Sequence, residues 1–270
     1  MSQHPAPPPC SPGSALVTLV FKDVPFSAAS AAPAAASSEP LNKELTVDRA
    51  LLFHASPVLR GLFEDTRGGS GGQTSAAPVT LVGDRPEDWE LALSLLQHED
   101  KHLSGVTWDN IGALARLAHK YDMPQLQTCC ALFLAVNLHE ASLKEPLASP
   151  KNLLHAASLA ERYLCDCGNM HICSGKAVQA AFKAELSMLT TMNVQHSFNS
   201  AYGCISIAVS AADMYAWKTA AQPAVTRLKR LMADSAYSVV VASGVQAQVS
   251  TAVMDHLLQL VNHLAGGGLG

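Results

Sequence analysis

Aromatic residues make up only 6% of this 270-residue chain, and charged residues only 15%. Few aromatics means a core built mainly from Ala, Leu and Val, and the 49% hydrophobic content can supply one. That content also excludes a wholly disordered chain. A basic excess is lacking, since 18 Lys and Arg stand against 22 Asp and Glu, a formal charge of −4. Proteins that coat phosphate backbones need clustered cations, so nucleic acid is not an expected partner. The densest basic cluster, Arg227 to Arg230, reads as a solvated helix face. Long apolar runs are lacking too. Ala15 to Phe21 is too short to span a bilayer and nothing later reaches about 18 residues, so no membrane segment is expected. The opening MSQHPAPPPCSPGS has no Lys or Arg and no apolar stretch, unlike a secretory or transit signal. With that, an odd total of 7 cysteines argues against a secreted disulfide framework. The expectation is a cytoplasmic and/or nuclear protein in a reducing compartment, with no cofactor implied.

What is present is a patterned chain in two parts. Residues 1–14 read as a disordered Pro-rich arm, and 15–22 as a β-branched strand. An Ala/Ser-rich stretch makes 25–40 a flexible insertion before a second strand at 43–48. Ser56 followed by Pro57 is a helix start, because Ser caps the free N–H groups and Pro has none to leave unpaired. Two short helices therefore flank Ser56, and Val58, Leu59, Leu62 and Phe63 fall at helical spacing on one face. The Gly-rich stretch makes 66–78 a second flexible insertion, and 79–83 a third strand. Helices follow at 86–97, 111–122 and 124–136, the last carrying Cys129 and Cys130 as buried small hydrophobes. From 150 the pattern reads as helices only, at about 150–164, 173–192, 200–220, 222–236 and 249–264. Tyr237 to Ala242 fits a strand or a buried helical turn, and 265–270 is a flexible tail. The expected fold class is α+β in the N-terminal half, a small sheet with helices, and all-α beyond it.

The order strand, strand, two short helices, strand, three helices resembles a BTB/POZ domain over residues 15–136. Ala50, Leu52, Ser56, Pro57 and Phe63 match the family's A-x-L-x-x-x-S-P-x-F-x-x-x-F segment, with Leu59 where an aromatic is usual. Val79 to Leu81, then Trp89, Leu95 and Leu96, resemble its third strand and following helix. Leu117-Ala-His-Lys-Tyr-Asp-Met-Pro-Gln-Leu126 closely resembles the L-A-x-K-Y-x-x-P-x-L corner between the last two helices. The helices over 150–264 are similar in kind to a BACK-type extension. There are departures. Ser14-Ala15 and Asp48-Arg49 stand where the family has an Asp and a His-Lys pair, which puts the usual dimer packing in doubt. Residues 97–105 replace the F-L-Y-T-G segment.

Two constellations could carry metal chemistry. His98-Glu99-Asp100-Lys101-His102 matches H-E-x-x-H, which on a helix would offer zinc two imidazoles and a general base, as in a zinc-dependent hydrolase. Its charged interior and the lack of a third ligand favour an exposed polar loop instead. Cys165, Cys167, His171 and Cys173 bring four N/S ligands together, although Cys-x-Cys is tight for one ion. The alternative there is an inter-helix turn in which Gly168-Asn169 supplies left-handed backbone. No G-x-S-x-G and no phosphate-binding Gly loop occurs, so an enzyme is not the expected reading.

The resemblance implies a protein-interaction adaptor that self-associates as a homo- or hetero-dimer. It also implies binding to a cullin scaffold and presentation of an unidentified protein substrate to a ubiquitin ligase. The rival is a dimerisation or scaffold module in transcription or signalling. By resemblance the partner-binding residues are Leu62, Glu64, Asp122 and Met123, with Phe63 and Tyr121 partly in the core. Leu62-Phe-Glu64 has the spacing of the hydrophobic-x-Glu motif that such adaptors carry after this helix, though it sits earlier.

Overall fold

The computed structural model describes residues 16–22, 43–65, 78–97, 104–187, 195–199, 204–208 and 211–266. The expected arm, both flexible insertions and most of the tail lie outside these residues. The chain divides into two compact units, one of residues 1–105 with 116–126, the other of 106–115 with 127–270.

The first unit holds a three-stranded sheet in the order β2-β1-β3. Strand β1 is Leu16–Lys22, β2 is Glu44–Asp48 and β3 is Val79–Val82. β1 pairs antiparallel with β2 (Leu19 opposite Leu45) and parallel with β3 (Leu19 opposite Val79). Alternation sends Val17, Leu19, Phe21, Val47, Val79 and Leu81 inward, so one face of the sheet is buried. Helix α1 spans Arg49–Ala55 and starts directly from β2, because the Asp48 carboxylate accepts the Ala50 N–H at 2.8 Å. Helix α2 spans Pro57–Asp65 and α3 spans Pro86–Gln97. Glu87 and Asp88 occupy the first turn of α3, where the helix dipole favours negative charge. Trp89, Leu93, Leu95 and Leu96 are its buried side. Helix α4 is Ile111–Lys120 and α5 is Pro124–Asn137, and the corner between them belongs to this unit.

The second unit contains α6 (Leu153–Tyr163), α7 (Met170–Ser187), α8 (Ala211–Met232), a short α9 (Tyr237–Val240) and α10 (Ser243–Gly266). Leu154, Val178, Phe182, Leu228, Val245 and Val249 share its core. Asn152 caps α6 by accepting from the Leu154 and His155 N–H groups. Two polar links tie α6 to the start of α10: the buried Ser158 Oγ accepts the Ala242 N–H at 2.9 Å, and the half-buried Glu161 accepts the Gly244 N–H at 2.9 Å.

This half is mostly helical but not all-α, which corrects the expectation for 200–220. Strand β5 (Cys204–Ala208) stands there, in a hairpin with β4 (Gln195–Asn199) just before it, pairing Gln195 with Ala208 and Asn199 with Cys204. Cys-Ile-Ser-Ile-Ala alternates with period two and carries two β-branched residues, a strand pattern shorter than the helical window that hid it. The break expected at 222 is also absent. Pro223 lies inside α8, which continues through it although Pro has no N–H to donate. Among the described residues no helix is long and apolar enough to cross a membrane.

Candidate protein-interaction site

Ser56 and the α4–α5 corner, far apart in sequence, meet in the first unit. The Ser56 Oγ accepts the Leu59 N–H at 3.1 Å, capping α2, and donates to the Tyr121 carbonyl. One fully buried hydroxyl thus satisfies a helix end and a corner carbonyl together.

The corner has its own logic. Asp122 adopts φ +48, the Met123 N–H donates to the Ala118 carbonyl at 2.8 Å, and the Asp122 N–H donates to His119 at 3.2 Å. These are the two bonds of a Schellman termination, with Asp where Gly is commoner and an apolar residue following it. Met123 is fully buried, in keeping with the apolar contact that commonly accompanies such a termination. Pro124 then opens α5.

Lys120 and Tyr121 anchor the corner to the end of β3. Lys120 Nζ donates to the Val82 carbonyl and to Asp84 Oδ2, each at 2.9 Å, and the Tyr121 hydroxyl donates to the same carboxylate. Trp89 stacks edge-on against Tyr121 at 5.0 Å. Burial, then the bond to the Asp84 carboxylate and its charge, holds the Tyr121 phenol well above its ordinary range, so it stays protonated.

The outer face of α2 differs from the single apolar face read in the sequence. Leu59 and Phe63 are buried, whereas Val58 is 48% and Leu62 43% exposed. Val58, Leu62 and Asp65 stack at helical spacing into a ridge, and Gly61 beside them has open space where a Cβ would stand. Glu64, exposed as well, lies two residues from Leu62 and therefore across the helix, nearer Arg60. Arg60 is occupied with Phe53, stacking on its ring at 5.0 Å and donating to its carbonyl at 3.1 Å.

The four residues expected to bind a partner are therefore not equivalent. Leu62 is on the ridge. Asp122 is exposed at the corner, beside the start of α2. From Ser56, Leu62 and Glu64 lie roughly 9 and 12 Å further along the helix axis at 1.5 Å per residue. Met123 is corrected, because a fully buried side chain is not a contact surface. Val58 and Asp65 were missed as surface residues, although their spacing to Leu62 was the available signal. Asp84 carried no signal at all, being a lone carboxylate after a strand. Asp48 and Arg49, which replace the family's His-Lys pair, have local work. Asp48 caps α1, and Arg49 donates to the Phe63 carbonyl at 3.0 Å with its guanidinium over that ring.

The metal candidates fare differently from each other. His98, Glu99 and His102 lie outside the described residues. Cys165 and Cys167 sit in the turn before α7, while His171 and Cys173 are exposed in its first turn. Among the described residues no group of three or more His, Cys, Asp or Glu could hold a metal ion, so these four are not brought together as ligands. Gly168 supplies the left-handed turn at φ +60. Burial and then the neighbouring Asp166 push the Cys167 thiol up.

Residues 17–138 match the sequence model of the BTB/POZ domain. No curated protein matches the chain.

Proposed function

Residues 17–138 form a BTB/POZ domain, a protein-interaction fold, and from that premise we propose that the chain is a self-associating adaptor for a cullin-type scaffold. It works by binding and not by catalysis, in the cytoplasm or nucleus, and the helices after α5 present a protein substrate. The contact surface is the ridge of Val58, Leu62 and Asp65 together with Asp122 at the corner. The observation that carries this reading is the exposed pair Val58 and Leu62 on a short helix whose start is tied to the corner through Ser56. Two large apolar side chains held on a rigid element are suited to anchor a partner. Fully covering a Val or Leu side chain contributes about 1.5–3 kcal/mol.

Sedimentation equilibrium of the purified chain, alone and with an N-terminal cullin fragment, tests this. The chain is expected to self-associate and to co-sediment with the fragment. Folded chain that self-associates but leaves the fragment unbound at tens of micromolar contradicts the adaptor reading and leaves a dimerisation module.

A further inference from the structure

Three buried side-chain polar atoms lack a hydrogen-bond partner among the described residues: Trp89 Nε1, Gln248 Oε1 and His256 Nε2. Two of the three belong to one seam, where α10 runs along α7. Both atoms are sealed from solvent, so what an outside ligand can meet along this seam is the side chains at its surface. Gln248 reaches across to α7, where a Cβ on Gly175 would collide with its amide. A groove of about 390 Å³ lies along the two helices, within the size range of ligand sites.

The lining has a definite chemistry. Helix α7 contributes Lys176, Gln179, Ala180 and Lys183, and α10 contributes Ala252, Asp255, His256 and Gln259. Lys176 and Lys183 are exposed and make no ion pair among the described residues, whereas Glu185 on the same helix is paired with Arg227. Seven residues apart, the two lysines share a face of α7, about 10 Å from each other along the axis. His256 is only 6% exposed, and burial keeps its imidazole below the ordinary range. Two carboxamides and the Asp255 carboxylate complete the set.

We propose that this groove between α7 and α10 binds an acidic segment of a partner protein. Lys176 and Lys183 receive its carboxylates, and the Gln179 and Gln259 amides pair with its peptide groups. Asp255 decides the class. A trap for a compact polyanion would not place a carboxylate on its wall, but a peptide supplies N–H groups for that carboxylate to accept. The proposal rests on the interaction-module reading only in taking the ligand to be a protein. Its test needs neither self-association nor a scaffold, so either can fail alone.

The probe is a fluorescein-labelled dodecapeptide of alternating Glu and Ala, titrated with the full chain and followed by anisotropy, with a Gln-for-Glu peptide and inorganic phosphate as comparisons. The acidic peptide is expected to bind and to weaken with added salt, and the Gln peptide to bind far less. Lys176→Glu with Lys183→Glu should reduce affinity by about tenfold or more while leaving the thermal midpoint unchanged, since both side chains are exposed. Gln259→Ala, also at the surface, should weaken binding without that change in salt dependence. Acidic peptide that fails to bind, or binds the lysine variant equally well, overturns the proposal. Displacement of the peptide by phosphate at equal concentration overturns the peptide assignment in favour of a small-anion site.

Discussion

Leu62 and Met123 are both apolar and both stand where the family resemblance places a partner, yet they answer to different forces. Met123 follows the left-handed residue of a helix termination and is fully buried, while Leu62 projects from the side of α2 that no core residue covers. Met123→Ala should therefore cost about 2–5 kcal/mol in denaturant unfolding, as for a buried Met, whereas Leu62→Ala should stay within about 0.5 kcal/mol. Ser56→Ala removes a cap and leaves the buried Tyr121 carbonyl without its donor, so a loss of about 1–3 kcal/mol is expected. Tyr121 adds a pH dependence. Its pKa is raised on folding, so it contributes stability that is fully present below the unfolded value near 10 and is lost as pH rises above it. Thermal melts from pH 9 to 11 should show a steeper fall for the wild-type chain than for Tyr121→Phe. Parallel curves would mean that Tyr121 does not govern the alkaline limb.

Elements with a start signal were legible, and those without one were not. Ser56-Pro57 and Pro86 mark the first residues of α2 and α3 because capping chemistry is local and independent of the rest of the fold. The first three strands follow from β-branched runs. Strand β5 was missed because five residues of alternation are easily absorbed into a longer helical reading, and α8 ran on because Pro223 costs a helix energy without obliging it to end. At the candidate site, spacing gave the ridge positions but not which of Val58, Leu59, Leu62 and Phe63 face inward, since that depends on where the sheet lies. The ridge also carries a testable oddity. Gly61 is mid-helix with room for a side chain, and Gly there costs about 0.5–1 kcal/mol against Ala. Gly61→Ala should raise the unfolding free energy by that amount. If it also weakens scaffold binding, the glycine is kept so that a partner can approach α2 closely.

At the scale of the whole molecule, a BTB/POZ domain carries a mostly helical second half, and each brings a surface of different character. The first offers an apolar ridge on a short, well-anchored helix. The second offers a polar groove with two lysines that make no ion pair among the described residues, so one chain could hold a scaffold by apolar contact and a substrate by charge. The two modes predict opposite salt responses, with scaffold binding nearly indifferent to ionic strength and groove binding weakened by it. Whether the ridge holds the scaffold is read by calorimetric titration of a cullin N-terminal fragment, using wild-type chain, Val58→Asp and Leu62→Asp with thermal midpoints measured alongside. The wild-type chain is expected to bind, each variant to lose at least about 1–2 kcal/mol, and the midpoints to stay unchanged. Full-strength binding by both folded variants, or no binding by the folded wild-type chain, would contradict that role of the ridge.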